Sequence, residues 1–299
     1  MPSPSAPAPV THARNPIGSH VPVGPGLARG AFPAMRHVGA DTLQVFVGNP
    51  RGWAASAGDP RQDAQFRERC ESEGVPAFVH TPYLVNLGSP NPTTYEKSVA
   101  TVAHNLARGA SIGARGVVVH TGSCVDDGAY DKALAQVREG LLPLLDVLPD
   151  DAPTLLLEPT AGQGRSLCAR IDDLAPYLEA LDHHPRVGIC LDTCHAFAAG
   201  EPLDEPQGVV ATLDRLVEVA GPDRLQLVHA NDSQDVRGSF KDRHERIGRG
   251  HIGVEAFAAM FLHPATVGVP FVLETPGASD AWAEDITLLA SLRDRVAVS

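Results

Sequence analysis

Eight short apolar segments recur along the chain, and each is followed by a stretch with helical periodicity. They are almost continuous runs of valine, isoleucine and leucine, which is typical of strands buried on both faces of a parallel sheet. The predicted strands span residues 17–21, 42–47, 76–80, 116–120, 154–158, 187–191, 225–229 and 270–274. Eight such units in a chain of this length favour an α/β fold of the closed (β/α)8, or TIM-barrel, class over an open doubly wound sheet.

The chain is predicted to form a single domain. A barrel of this class typically takes about 250 residues as one unit, and no shift in composition divides the 299 residues into two parts. The first ten residues are rich in proline, alanine and serine and have no apolar pattern. Residues 1–15 are therefore predicted to be a disordered tail, and residues 16–299 the barrel domain.

Composition excludes several classes of protein. The formal net charge of −12 argues against a protein that coats nucleic acid non-specifically, because that mode of binding depends on a basic surface. No apolar run approaches the roughly 18 residues needed to span a bilayer, and the N-terminus lacks the features of a signal peptide. The five cysteines include no CxxC pair, which indicates buried reduced thiols. We therefore expect a cytoplasmic protein with no membrane partner.

Six consecutive predicted strands, the third to the eighth, end in or are followed by a histidine or an acidic residue. Each residue alone could be a hydrogen-bonded histidine or a carboxylate paired with an arginine. In a barrel, however, all of them point into the C-terminal mouth, where active sites of this fold lie. Placing three imidazoles and three carboxylates there without cations would be costly, so the pattern indicates metal ions. The residues are His80, His120, Glu158, Asp192, His229 and Glu274.

Two further pairs extend this set. His195 follows Asp192 after the sixth strand, and Asp242-Arg-His244 lies in the long segment after the seventh. Either pair alone is a weak signal, because an Asp–His pair also stabilises turns and a charged loop is often simply solvated. Together the nine candidates offer nitrogen and oxygen donors without thiolate, which suits catalytic zinc or manganese. Nine ligands suit two or three ions, and such clusters suit hydrolysis of phosphate esters.

With these residues in place, the chain from about Ile17 to Ile286 closely resembles the endonuclease IV family. These are zinc-dependent apurinic/apyrimidinic endonucleases of base-excision repair. The long motifs that carry the resemblance occur in order along the sequence. They are Gly18-Ser-His20, His80-Thr-Pro-Tyr-Leu-Val-Asn-Leu-Gly88, Glu158-Pro-Thr-Ala-Gly-Gln-Gly164, Leu191-Asp-Thr-Cys-His-Ala-Phe-Ala-Ala-Gly200, His229-Ala-Asn-Asp232, Asp242-Arg-His244, Gly248-Arg-Gly-His-Ile-Gly253 and Leu273-Glu-Thr275.

The resemblance implies a site with three zinc ions, with Glu158 and Glu274 as catalytic residues. His80 and His120 would hold the first zinc, with Glu158 bridging to the second. Asp192, His229 and Glu274 would complete the second site, and His195, Asp242 and His244 would form the third. The implied reaction is hydrolysis of the phosphodiester 5′ to an abasic site in duplex DNA, leaving a 3′-hydroxyl and a 5′-deoxyribose phosphate. A 3′-phosphodiesterase side activity and a monomeric state are implied as well.

The resemblance also implies contacts with damaged DNA. Arg51 and the pair Tyr83-Leu84 match loop positions that family members insert into the helix, although Pro50 and Gly52 replace more polar residues of that loop. Without the resemblance, Tyr83 and Leu84 would be ordinary loop residues that cap the barrel. Residues 237–249, which include Arg243, contain five basic against two acidic residues. This segment is predicted to contact phosphates, although a solvated charged loop is the simpler interpretation.

The main alternative is a metal-dependent sugar isomerase or epimerase, which has a similar barrel with histidine and carboxylate ligands. Such a site normally needs one or two metals and a lysine or glutamate as acid and base near the sugar. The motifs at the mouth contain no lysine except Lys241, and the Asp242/His244 pair would be surplus. A non-catalytic, zinc-stabilised DNA-damage binder would be favoured if a ligand were missing, and none is.

Overall fold

A closed barrel of parallel strands forms the centre of the computed structural model, which describes residues 14–296. The last barrel strand pairs with both the strand at Leu225–His229 and the strand at Ile17–His20, which closes the sheet. The predicted (β/α)8 class is confirmed. The barrel strands are β1 (Ile17–His20), β2 (Thr42–Val45), β3 (Ala77–His80), β4 (Gly116–His120), β5 (Thr154–Glu158), β6 (Val187–Asp192), β7 (Leu225–His229) and, after two short strands β8 (Asp232–Ser233) and β9 (His244–Glu245), β10 (Phe271–Leu273).

Helices surround the barrel and connect its strands. They are α1 (Leu27–His37), α2 (Pro60–Glu73), α3 (Pro92–Ile112), α4 (Tyr130–Asp146), α5 (Leu174–Ala180), α6 (Thr193–Ala199), α7 (Pro206–Ala220), α8 (Val254–Leu262) and α9 (Ser279–Val296), with short 3-10 turns at Ile171–Asp173 and Pro264–Thr266. No helix among residues 14–296 is long and apolar enough to cross a bilayer.

Local signals in the sequence account for the ends of these helices. The Asp59 side chain caps α2 by accepting hydrogen bonds from two backbone amides of its first turn, and proline follows at the first helical position. Asn91 caps α3 by accepting a hydrogen bond from the backbone N–H of Thr94, and proline again follows the cap. Gly74 and Gly113 end the two helices with φ of 66° and 70°, a left-handed conformation that favours glycine.

A separate cluster of six buried side chains lies inside the barrel. Each of these residues stands two positions before one of the strand-end histidines or acids. Since side chains alternate along a strand with a period of two, both members of each pair face the barrel axis. The apolar layer therefore forms the floor beneath the candidate ligands. Its members are Phe78, Val118, Leu156, Cys190, Leu227 and Val272.

Three local features differ from the sequence prediction. Helix α6 starts directly after β6, because Asp192 caps it, where only a turn was predicted. The long segment between residues 230 and 253 was predicted as a loop, but β8 and β9 pair within it as an antiparallel ladder. Asn15 was assigned to the tail but is buried, and its side-chain amide donates to the carbonyl of Val269 at 2.9 Å. The rest of the predicted tail, apart from Arg14, lies outside the described residues.

Candidate metal centre

The structure brings the nine candidate ligands together at the C-terminal mouth of the barrel. The six strand-end residues surround the axis above the apolar floor. His195 is added from the first turn of α6, and the segment around β9 folds back to add Asp242 and His244. The cluster therefore depends on the closure of the barrel and on the long segment after β7. Its most deeply buried members are His80, Glu158, Asp192, His195 and His229.

Glu158 stands at the centre of the cluster. Its Oε2 is 3.1 Å from His80 Nε2 and 3.3 Å from His120 Nε2. Its Oε1 is 3.0 Å from His229 Nδ1 and 3.4 Å from His195 Nδ1. The two oxygens of one carboxylate thus face two different pairs of histidines, which is the arrangement a carboxylate needs if it is to bridge two metal positions.

Glu274 and Asp192 lie close to His229, and Asp192 also lies close to His244. His229 Nδ1 lies 3.4 Å from Glu274 Oε2 and 3.8 Å from Asp192 Oδ2. Asp192 Oδ2 is also 3.5 Å from His244 Nε2. One oxygen of Asp192 therefore lies near both His229 and His244.

Asp242 completes the outer part of the cluster. Its Oδ1 is 3.2 Å from His195 Nε2 and 3.1 Å from His244 Nε2. His244 Nε2 is buried and has no hydrogen bond of acceptable geometry. A buried nitrogen without such a partner is costly in a protein interior, and a metal ion would satisfy it.

Backbone groups orient several of these rings. His80 Nδ1 is 2.7 Å from the carbonyl of Thr81, and His244 Nδ1 is 3.2 Å from the carbonyl of Glu274. A ring that donates from Nδ1 to a carbonyl leaves Nε2 without a proton and free to bind a metal. In both residues, Nε2 is the nitrogen that faces the cluster.

The donor set fits divalent metal. Ligand atoms within 4.8 Å of one another occur in the groups His80–His120–Glu158, His80–His229–Glu274 and Asp192–His195–His244. Cys190 and Cys194 lie near the cluster, but burial raises the pKa of Cys190 to about 12 and also raises the pKa of Cys194. Both thiols are therefore protonated near neutral pH in the metal-free protein, and Cys190 belongs to the apolar floor. The three groups named above contain only imidazole and carboxylate donors, as catalytic zinc sites prefer.

Opposite charges dominate the electrostatics of the metal-free cluster. Burial disfavours the charged form of His195, but Asp192, Asp242 and Glu158 outweigh that effect and raise its pKa to about 10. Burial also disfavours the charged form of His244, but Asp192 and Asp242 outweigh that effect and raise its pKa to about 9. The pKa of Glu158 is held well below its usual range, because the nearby imidazoles outweigh its burial.

These shifts predict opposite pH dependence for the metal-free and metal-loaded protein. In the metal-free protein, the raised histidine pKa values contribute stability that is complete below about pH 6.5, the ordinary pKa, and is lost as pH rises through about 9 to 10. Metal binding needs neutral imidazoles, so stabilisation by metal grows over the same range. Urea unfolding from pH 6.5 to pH 10, with and without zinc, measures both slopes. Parallel slopes would contradict a metal site at these histidines.

The residues predicted to contact DNA lie on the rim of the mouth. Tyr83 is 55% exposed, and its ring centroid lies 6.3 Å from that of His120. Leu84 is 38% exposed. The backbone N–H of Tyr83 donates to the carbonyl of Pro50 at 3.1 Å, which links this loop to the one that carries Arg51. Arg51 is exposed. The three side chains therefore belong to two connected loops beside the cluster.

The basic segment at residues 237–249 is less positive than its local sequence indicates. Arg243 donates two hydrogen bonds of 2.6 Å to the carboxylate of Asp235. Arg237 pairs with Asp204, and Arg246 pairs with Asp285. Those acids lie outside the segment, so a local count of charges did not include them. A DNA contact by Arg243 stays a prediction, and it would have to be made by a paired guanidinium.

Sequence reasoning missed two polar residues that support the ligands. Asn231 donates to Asp192 Oδ2 at 2.8 Å and accepts from the backbone N–H of Glu274 at 2.9 Å. Gln44 is a buried amide within β2 and contacts both His229 and Glu274. A glutamine between Leu43 and Val45, in a strand predicted to be buried on both faces, was the signal that could have identified Gln44.

Comparison with known proteins agrees with this fold. Residues 32–292 match the family model described as a xylose isomerase-like TIM barrel, so the chain belongs to that broad class. "Probable endonuclease 4" of Streptomyces avermitilis is 57% identical over 283 residues, covering 94% of this chain and 91% of the relative. The corresponding Streptomyces coelicolor protein is 57% identical over 282 residues, covering 94% and 96%.

Within that class, the chain belongs to the endonuclease IV family. The crystal structure of endonuclease IV from Thermus thermophilus superposes with a TM-score of 0.81 at 33% identity, covering 94% of this chain and 99% of that one. A 3-keto-D-glucoside 4-epimerase from E. coli superposes with a TM-score of 0.66 at 16% identity, covering 94% and 100%. The likeness to the epimerase concerns the fold alone. The predicted family is confirmed.

Proposed function

We propose that this protein is a DNA-repair endonuclease that hydrolyses the phosphodiester 5′ to abasic sites in duplex DNA. The products would be a 3′-hydroxyl and a 5′-deoxyribose phosphate. The observation that carries the proposal is the complete set of nine imidazole and carboxylate ligands at one barrel mouth, in a member of the endonuclease IV family. The catalytic unit would be the barrel at residues 16–299, acting as a cytoplasmic monomer.

The proposed cofactor is three zinc ions, because all nine ligands occur in overlapping groups with ligand atoms within 4.8 Å of one another, and nine ligands are too many for one ion. When bound, zinc supplies Lewis-acid stabilisation of phosphate charge and lowers the pKa of water at neutral pH. His80, His120 and Glu158 would hold the first ion, and Asp192, His229 and Glu274, with Glu158 shared, the second. His195, Asp242 and His244 would hold the third.

Glu158 and Glu274 are proposed as the catalytic carboxylates. The low pKa of Glu158 keeps it ionised, and its two oxygens hold two pairs of imidazoles in fixed relative positions. Imidazoles outweigh the effect of burial on Glu274 as well, so its pKa lies below the usual range and it remains an acceptor. Groups fixed in this way need little reorganisation when the substrate phosphate arrives.

Arg51, Tyr83 and Leu84 are proposed to recognise the damaged duplex. An exposed aromatic and an exposed leucine beside the cluster could occupy the space left in the helix by a flipped-out abasic nucleotide. The guanidinium of Arg51 supplies positive charge on the linked loop. This set of side chains suits a nucleic acid better than a small sugar, which needs no inserting residues at the rim.

The sugar isomerase alternative is less well supported by the residues at the mouth. Lys241, the one lysine of the mouth motifs, lies 3.3 Å from Asp235 in an ion pair and is 60% exposed in its side chain. It is therefore a surface residue rather than an acid or base in the cavity. His195, Asp242 and His244 would have no role in a site for one or two metals.

The assay that tests the proposal uses a labelled duplex with one abasic site, and an undamaged duplex as its control. We expect incision of the abasic strand without added Mg²⁺, and a product end that a DNA polymerase can extend, because hydrolysis leaves a 3′-hydroxyl. A second duplex with a blocked 3′ end tests the 3′-phosphodiesterase activity. If the abasic strand stays whole with zinc-loaded protein, the proposal fails and a panel of ketose and aldose sugars should be tested.

A further inference from the structure

Gln44 lies directly behind two of the proposed ligands. It is fully buried on β2, and its Nε2 lies 2.6 Å from Glu274 Oε1 and 3.0 Å from His20 Nδ1. Its Oε1 lies 2.9 Å from His229 Nε2. A carboxamide has two N–H donors and one acceptor oxygen. Gln44 therefore uses both of its N–H donors and its acceptor oxygen on these three neighbours.

The orientation of the Gln44 amide follows from the chemistry of Glu274. An ionised carboxylate only accepts hydrogen bonds, so the group 2.6 Å from Glu274 Oε1 must be the NH₂ of the amide. The reversed amide would place its oxygen against the carboxylate and leave a buried repulsion. The amide oxygen consequently faces His229.

This orientation determines which nitrogen of His229 carries a proton. The amide oxygen can only accept, so His229 Nε2 must donate to it. The other nitrogen, Nδ1, faces the cluster at 3.0 Å from Glu158 Oε1 and 3.4 Å from Glu274 Oε2. His80 has the opposite arrangement, since its Nδ1 contacts a backbone carbonyl and its Nε2 faces the cluster.

We propose that Gln44 is a positioning residue that holds His229 with its proton on Nε2 and, through the same amide, fixes Glu274 beside it. One side chain thus delivers a histidine Nδ1 and a carboxylate oxygen to the same metal position. The proposal rests on the metal centre proposed above. An apolar residue could fill the same space in the strand, but it would leave His229 Nε2 and Glu274 Oε1 without these partners.

Zinc affinity tests the proposal without using catalysis. Gln44→Leu is expected to weaken one zinc by about 10- to 100-fold, the usual effect of removing a group that orients a ligand. The other zinc ions should keep their affinity. Gln226→Leu is the matched control, because Gln226 lies on β7 three residues before His229, towards the opposite end of the barrel. Competition with a chromophoric chelator measures each affinity.

A spectroscopic measurement separates positioning from simple packing. In zinc-loaded protein labelled with ¹⁵N-histidine, the Nε2–H of His229 should give a protected cross-peak, assigned by its loss in His229→Asn. Gln44→Leu should shift that cross-peak or lose it to solvent exchange. Gln44→Glu keeps an oxygen towards His229, so it should retain the cross-peak while weakening zinc binding through repulsion of Glu274.

The outcomes are distinct. The proposal is overturned if Gln44→Leu binds every zinc as the wild type does, or if its His229 cross-peak is unchanged. If Gln44→Leu does not fold, loss of the cross-peak in Gln44→Glu overturns the proposal. A wild-type protein that binds no zinc would instead overturn the proposed metal centre, whatever the variants do.

Discussion

Replacing Glu158 by glutamine is expected to reduce incision of an abasic duplex by about a thousandfold or more. The substitution keeps the size of the side chain but removes the negative charge that faces His80, His120 and His229. It also places an NH₂ group where one carboxylate oxygen was, against a nitrogen that should bind metal. A metal cluster stabilises the charge of the transition state by several kcal/mol. The rate of incision falls about tenfold for each 1.36 kcal/mol of that stabilisation that is removed.

The measurement is the single-turnover rate of incision, together with zinc content and the circular dichroism spectrum. Glu201→Gln is a suitable control, because Glu201 is a buried carboxylate outside the cluster that accepts a hydrogen bond from the backbone of Ile171. The control should incise at close to the wild-type rate. A folded Glu158→Gln protein that incised as fast as the control would remove Glu158 from the catalytic site.

Much of this site could be predicted because, in a barrel, the place of a residue along its strand determines where the residue lies in the fold. A residue at the end of a parallel strand must lie at the mouth, so Glu158 and His229 could be placed together although 71 positions separate them. The apolar residue two positions earlier further indicates that each side chain faces the axis. Asp242 and His244 are on no barrel strand, so strand ends could not place them, and the sequence offered them only as a weak Asp-x-His pair in the segment after β7.

The features that sequence reasoning missed depend on partners that are distant along the chain. Gln44 contacts Glu274 across 230 positions, and nothing local to β2 indicates that contact. The positive charge of residues 237–249 was overestimated for the same reason, since Asp204 and Asp285 reach this segment only in the folded barrel. The periodicity of residue types in one sequence predicts which way a side chain faces, but it does not predict which distant residue that side chain contacts.

Replacing His195 by alanine is expected to remove one zinc and leave the other two bound. His195 Nε2 contacts Asp242, whose only other imidazole neighbour among the proposed ligands is His244. Glu158 keeps His80, His120 and His229 as neighbours, so the other two positions retain their donors. Incision should fall by about a hundredfold or more, which corresponds to about 2.7 kcal/mol of lost transition-state stabilisation.

Elemental analysis of chelator-washed protein gives the zinc count, and the abasic-duplex assay gives the rate. His37→Ala is the matched control, because His37 is exposed on α1 and lies outside the cluster, so it should keep three zinc ions and full activity. If His195→Ala lost all of its zinc, the three positions would be one cooperative unit. If it kept all of its zinc, His195 would not be a ligand, and the Asp192–His195 turn would serve only to cap α6.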